Sequence, residues 1–161
     1  MLSYQLYYDD IEICTKDLSM TEEKKPVSLA SLMTPSKTVS IKFPGYTGMS
    51  VNLCYLAREE LVKLRKKCIT TKWNKRTHQP EEELEDEKFI HEYTKAVIKG
   101  WKGLKYRYLE ELLLVDIADL DPEDELPYTT ENAELLMKNA TTFEGWVTET
   151  VGDLENFTGN K

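Results

Sequence analysis

Residues 72–87, KWNKRTHQPEEELEDE, hold the densest set of chemistry-bearing side chains in the chain: a basic run, His78, and six acids in the seven positions after Pro80. His78, Glu82 and Glu85 lie close together, and His91 follows shortly after. These are the donor types of a metal site, but the spacing is not: there is no HxxxH, HExxH or CxxC pattern to present two ligands to one ion. No metal or other cofactor is therefore expected. The second cluster, Asp116, Asp119, Asp121, Glu123, Asp124 and Glu125, fails as a calcium loop. If Asp119 is the first ligand, Asp124 falls where the turn requires Gly and Thr130 where a bidentate Glu is needed. Nucleophilic catalysis fares no better, because two histidines amid charge and no GxSxG leave no triad. No catalytic residue is expected, and the chain does not read as an enzyme.

The acids after Pro80 have a simpler reading. Pro80 is expected near the first position of a helix and the carboxylates in its first turns. There each meets the positive end of the macrodipole for ~0.3–1 kcal/mol. The basic half is less easily absorbed: from Arg58 to Arg76 there are eight Lys or Arg against two Glu, whereas from Glu110 to Lys161 fourteen acids face two lysines. That polarity fits self-association through Arg65, Lys66, Lys67, Lys75 and Arg76, docking basic on acidic surface. A nucleic acid with Trp73, Trp101 and Tyr106 stacking on bases is the other reading. No nucleic-acid motif accompanies the charge; the GWKG at 100–103 matches only a GxxG skeleton. Nucleic acid is not the expected partner.

Several elements must position these groups. KTVSIKF (37–43) alternates Val39, Ile41 and Phe43 with polar residues, PGYTG is a turn cluster, and MSVNLCYL alternates Val51, Leu53 and Tyr55 with Asn52 and Cys54. This predicts a β-hairpin, marginal by itself and needing helices over its apolar face. AREELVKLRKKCI (57–69) spaces Leu61, Leu64 and Cys68 as a helix. KFIHEYTKAVIKGW carries Phe89, Tyr93, Ala96, Val97, Gly100 and Trp101 on one stripe of roughly three turns. A shorter helix is expected in LKYRYLEELLLVDI, and Pro122 and Pro127 exclude a continuous helix across the acidic loop. Thr129 or Thr130 should cap ENAELLMKN. Thr141 and Glu144 form a capping-box pattern opening FEGWVTETVGDLENF, whose Phe143, Trp146, Val147, Val151, Leu154 and Phe157 share a face.

The expected fold is thus α+β: a mainly α-helical single domain with an N-terminal β-hairpin packed on about four or five helices. Its domain spans 37–158. Residues 1–36 read as an arm, with a possible strand over 1–14 and a linker after it, and 159–161 as a frayed end. The chain has 161 residues, 40% of them hydrophobic and 31% charged, with a net charge of -8. An acidic surface disfavours broad adhesion to nucleic acid or to anionic membrane. No apolar run approaches the ~18 residues of a membrane span. Cys14, Cys54 and Cys68 form no CxxC pair, and no leader pattern opens the chain, which reads as intracellular and reduced.

The order and phrasing of five blocks carry a resemblance: KTVSIKFPGYTGMSVNLCYLAREELVKLRKKC, TTKWNKRTHQPEEELEDEKF, AVIKGWKGLKYRYLEELLLVD, DPEDELPYTTENAELLMKN and FEGWVTETVGDLENF. Over 37–158 the chain resembles the small tail assembly chaperones of bacteriophages with long flexible tails (siphophages). The arm at 1–14 has no counterpart in that likeness. The resemblance implies a non-enzymatic helper in the host cytoplasm, absent from the mature virion. Such a helper binds the tape measure protein and keeps it soluble while tail tube protein polymerises around it. A longer product made by frameshifting is a further implication for the family. The other reading is a small structural tail or head-completion protein that stays in the virion. Under the chaperone reading, partner contact would fall to some of Phe89, Tyr93, Trp101, Met137, Trp146 and Phe157, provided they are not all consumed by core packing. Homo-oligomerisation is a further expectation; a membrane partner is not.

Overall fold

The computed structural model describes residues 27–159. The possible strand over 1–14, most of the linker and residues 160 and 161 lie outside the described residues. Two compact units divide between Met33 and Thr34. The described part of the first contains one helical turn, α1 (Leu29–Leu32), with no buried residue.

The second unit begins with the expected hairpin. β1 (Ser36–Lys42) and β2 (Ser50–Leu56) pair antiparallel, with Val39 opposite Leu53 and Ile41 opposite Val51. β2 is not an edge strand, because β5 (Ile98–Lys102) pairs along its other side in the order β1-β2-β5. Val51, Leu53 and Cys54 are all buried, so β2 is covered on both faces.

This sheet overturns the expected helix through Trp101. α3 (Asp86–Val97) ends at Val97 and the chain passes directly into β5. Two causes act together. Val97 and Ile98 are β-branched and favour extended backbone, and the second edge of β2 presents backbone groups that must be paired once buried. Gly100 lies opposite Asn52, where a Cβ would come 3.3 Å from the Asn52 side-chain nitrogen. Trp101 is locked into the core: its indole N–H donates to the Leu126 carbonyl at 2.8 Å, and its ring meets Tyr128 edge-on at 5.0 Å. Tyr128 in turn donates to the Ile98 carbonyl at 2.9 Å.

A second correction concerns the acids after Pro80. They do not begin a helix. α2 (Arg58–Lys67) is followed by a second antiparallel hairpin, β3 (Ile69–Asn74) and β4 (Gln79–Leu84). The acids face the basic run across the ribbon: Glu81 is opposite Lys72, and Lys72 pairs with Glu83 at 2.6 Å. Asn74 makes the turn, its Oδ1 accepting from the Arg76 and Thr77 amides at 2.8 and 3.2 Å, while His78 takes the left-handed conformation at φ 54°. α3 starts six residues after Pro80, at Asp86.

The remaining helices are α4 (Tyr106–Leu112), α5 (Thr130–Asn139), α6 (Thr141–Gly152) and α7 (Glu155–Thr158). Thr129 caps α5, its hydroxyl accepting from Asn132 N at 3.0 Å. The capping box at Thr141 does not form: α5 runs into α6 with only Ala140 between, Ala140 takes the cap position, and Thr141 is already helical. Nor does α6 reach Phe157. It stops at Gly152, Asp153 accepts from Glu155 N at 3.0 Å to start α7, and Leu154 is left 53% exposed. The acidic loop packs back on the fold, with the Pro122 and Asp124 carbonyls accepting the first amides of α4 at 3.1 and 3.0 Å. Among the described residues no cluster of three or more His, Cys, Asp or Glu could hold a metal.

The sheet and helices share one core in which Phe143, Leu136, Val147, Leu104 and Met49 are essentially inaccessible. Phe43 stacks on Tyr46 at 5.2 Å and meets Trp146 edge-on at 4.7 Å, joining the first hairpin to α6. At its end, Gly103 (φ +71°) packs on Gly48 so closely that a Cβ would sit 2.2 Å from the Gly48 carbonyl oxygen. Backbone meets backbone there, and neither side has a flexible atom to move. Gly103→Ala should therefore lower unfolding stability by at least about 2 kcal/mol, read from a shifted denaturation midpoint. Gly145→Ala, where nothing lies within 4 Å of the added carbon, should not lower it.

Candidate functional site

Four helices that cannot close on one another build the site. α3 packs on α5, α5 adjoins α6, and α2 lies against α3. The space left among them is a groove of about 450 Å³. Leu61 from α2, Phe89, Ile90 and Tyr93 from α3, and Met137 from α5 make its apolar walls. Arg65, Lys138, Thr141, Glu144 and Thr148 complete the lining. The first group is buried or half-buried and most of the second exposed, so the groove has an apolar floor under a polar rim.

Spacing along α3 explains the wall. Phe89 and Tyr93 are one turn apart and lie on one side of the helix, their rings stacked at 5.6 Å with an interplanar angle of 18°. The Arg65 guanidinium sits over Phe89, 5.9 Å from the ring centroid, a cation–π contact that lays the arginine's stem along the groove mouth. Burial pushes the Tyr93 hydroxyl above its ordinary range. A hydrogen bond with Thr148 opposes that rise, and the charge of Glu144 adds to it. Thr148 donates to Glu144 Oε1 at 3.1 Å. Tyr93 thus presents a neutral phenol at neutral pH.

One polar link holds α3 to α5 beside the groove. His91 Nδ1 lies 2.8 Å from Glu134 Oε2, and Lys138 reaches Glu134 Oε1 at 3.0 Å. The hydrogen bond from His91, then that from Lys138, hold the Glu134 carboxyl below the usual glutamate range. His91 acts here as a structural link between helices.

The groove collects three of the six residues proposed for partner contact: Phe89, Tyr93 and Met137. It does not collect the others. Trp101 and Phe157 are 8% and 2% exposed and spend their surfaces on the core. Neither lines the groove: Trp101 is held by the Leu126 carbonyl and Phe157 packs on the Tyr55 ring. Trp146 is half-buried and packs edge-on to Phe43 at 4.7 Å, outside the groove. Met137, 7% exposed, contributes to the floor. Of the five basic residues, Arg65 lines the groove, Lys66 and Lys67 end α2 facing solvent, and Lys75 and Arg76 stand at the tip of the β3–β4 ribbon.

Leu61 was readable as part of the α2 stripe, but its pairing with α3 was not. Ile90, Lys138 and Thr148 carried no sequence signal, and Thr141 and Glu144 stood out only as a capping pattern, since only the meeting of α3, α5 and α6 brings them together. The arrangement offers apolar contact flanked by polar groups of both signs.

Comparison with known proteins adds a family. A family model described as YdaY prophage protein matches residues 57–161, which contain every residue lining the groove. No curated protein and no solved structure matches the chain.

The Glu134 link has a defined pH dependence. A carboxyl whose folded pKa is depressed adds stability that is fully present above its unfolded value, near 4.5, and is lost as pH falls through the lower folded value. Denaturant titrations from pH 7 to pH 3 should show wild type losing more stability below about pH 4.5 than Glu134→Gln. Parallel losses in the two proteins would refute the link.

Proposed function

The chain belongs to the YdaY prophage protein family and is thus phage-derived; from that premise we propose that it is a tail assembly chaperone, acting without catalysis in the host cytoplasm. Its partner in this reading is the tape measure protein, a long helical chain that must stay soluble until tail tube subunits surround it. The single observation that supports the reading is the groove among α2, α3, α5 and α6. Its apolar walls are half-open to solvent, whereas Trp101, Phe143 and Phe157 are spent on the core.

The chemistry of the groove suits that task. Phe89, Tyr93 and Leu61 supply apolar contact for an amphipathic helix, and Met137, unbranched and polarisable, adapts to differing side chains along a repetitive partner. Arg65, Lys138 and Glu144 at the mouth give polar contacts of both signs. The net charge of -8 keeps such a helper soluble while it holds greasy surface.

Co-expression with the tape measure protein tests the reading. Soluble recovery of that partner should depend on this chain, and Phe89→Ser combined with Arg65→Glu should weaken the complex by at least about tenfold with the fold intact by circular dichroism. The chain should also be missing from purified virions. Its presence there in stoichiometric amount would instead identify a structural tail or head-completion subunit.

A further inference from the structure

Among the described residues the ribbon β3–β4 is a sheet of two strands with no third strand on either edge, and two-stranded ribbons are marginal alone. Its register divides it into unlike faces. Ile69, Thr71 and Trp73 lie opposite Leu84, Glu82 and Pro80 on one face, and Thr70, Lys72 and Asn74 lie opposite Glu83, Glu81 and Gln79 on the other. The first face leaves Trp73 63% and Ile69 37% exposed. The second is internally satisfied, by Lys72 with Glu83 and by Asn74 Nδ2 donating to Glu81 at 2.7 Å.

The two edges differ as much as the faces. Glu85 N donates to the Cys68 carbonyl at 2.8 Å. Alternation along an antiparallel ladder then turns the backbone groups of Ile69, Thr71 and Trp73 outward. Pro80, opposite Trp73, agrees, because it has no N–H to give the ladder. The outer edge of β4 consequently lacks a donor at Pro80 and carries Glu81, Glu82 and Glu83 in succession, which bars a second copy of itself. The outer edge of β3, ITTKWN, has no proline, no acid and one lysine already paired within the ribbon.

We propose that two copies of this chain associate through β3, antiparallel about a two-fold axis at Thr71, to make a four-stranded sheet. The outward groups permit only a few registers. Centring on Thr70 leaves Trp73 without a partner strand residue in the ladder, and centring on Lys72 sets like charges opposite each other, which is destabilising. Centring on Thr71 alone lets Ile69, Thr71 and Trp73 all exchange their outward backbone bonds. It also sets each Trp73 across from Ile69 of the second copy, an aromatic–β-branched pair. The ribbon carries Lys72, Lys75 and Arg76 against Glu81, Glu82 and Glu83, so two ribbons meet without net charge repulsion. The groove lies on other elements and stays open in the dimer's defining contact.

The experiment is sedimentation velocity and light scattering on the full chain across a concentration series. Wild type should pass from monomer to dimer. Thr71→Lys, an exposed position where the change sets two ammonium groups at the axis, should raise the dimer dissociation constant by at least about tenfold while leaving circular dichroism unchanged. Thr71→Pro, which removes an outward N–H and no ladder bond, should do the same. Glu149→Lys, exposed on α6 and outside the sheet, should not. A wild-type chain that stays monomeric at every concentration overturns the proposal, as does a dimer indifferent to both Thr71 variants. Monomer that instead takes up a foreign extended peptide along β3 overturns it in favour of a different occupant. Dimerisation is read without the tape measure protein, so it stands or fails apart from the chaperone reading.

Discussion

The fold turns on the need to pair and cover both sides of β2. A strand whose Val51, Leu53 and Cys54 are all buried cannot leave either edge unpaired, since each orphaned backbone group in such a place costs about as much as a lost hydrogen bond. β1 supplies one edge through the loop between Lys42 and Ser50. The other edge is met by five residues that continue the most regular helical stripe in the sequence, and pairing prevails over periodicity there. From that follow the abrupt end of α3 at Val97, the burial of Trp101, and the return of the acidic loop to accept the Trp101 indole proton.

The groove is a consequence of the same arrangement. α3 must deliver its last residue to the sheet, so its axis is set from that end. Its earlier turns carry Phe89 and Tyr93, which line the groove. α5 is tied to α3 by Glu134 and His91, and α6 is tied to the first hairpin by Phe43 and Trp146. Between these helices lies the groove, which α2 also lines through Leu61 and Arg65.

The charge pattern has a divided role. Acids and bases of 72–83 are placed to pair across one ribbon. Glu123 pairs with Lys105 and Arg107 at 2.5 and 2.6 Å, tying the acidic loop to the start of α4. Glu134 links three side chains across two helices. Of the basic residues from Arg58 to Arg76, Lys63 and Lys72 form local ion pairs, with Glu60 and Glu83, and such exposed pairs each contribute little to stability. Their effect is on which segments lie beside which.

Sequence alone determined the first hairpin, a threonine cap at 129 or 130, the break across Pro122 and Pro127, and the α+β class, because alternation, side-chain capping and the missing proline N–H act within a few residues. It also marked Phe89 and Tyr93 as one stripe of one helix. Tertiary structure alone decided that Ile98–Lys102 is a strand, that the acids after Pro80 face lysine across a ribbon, and that Trp101 and Phe157 are core while Met137 is groove floor. Each of those outcomes depends on a partner distant in the chain: the second edge of β2, the basic strand before the turn, or the meeting of α3, α5 and α6. A local pattern states what a segment can bury or pair, and only the assembled neighbours determine which surface is left to do it.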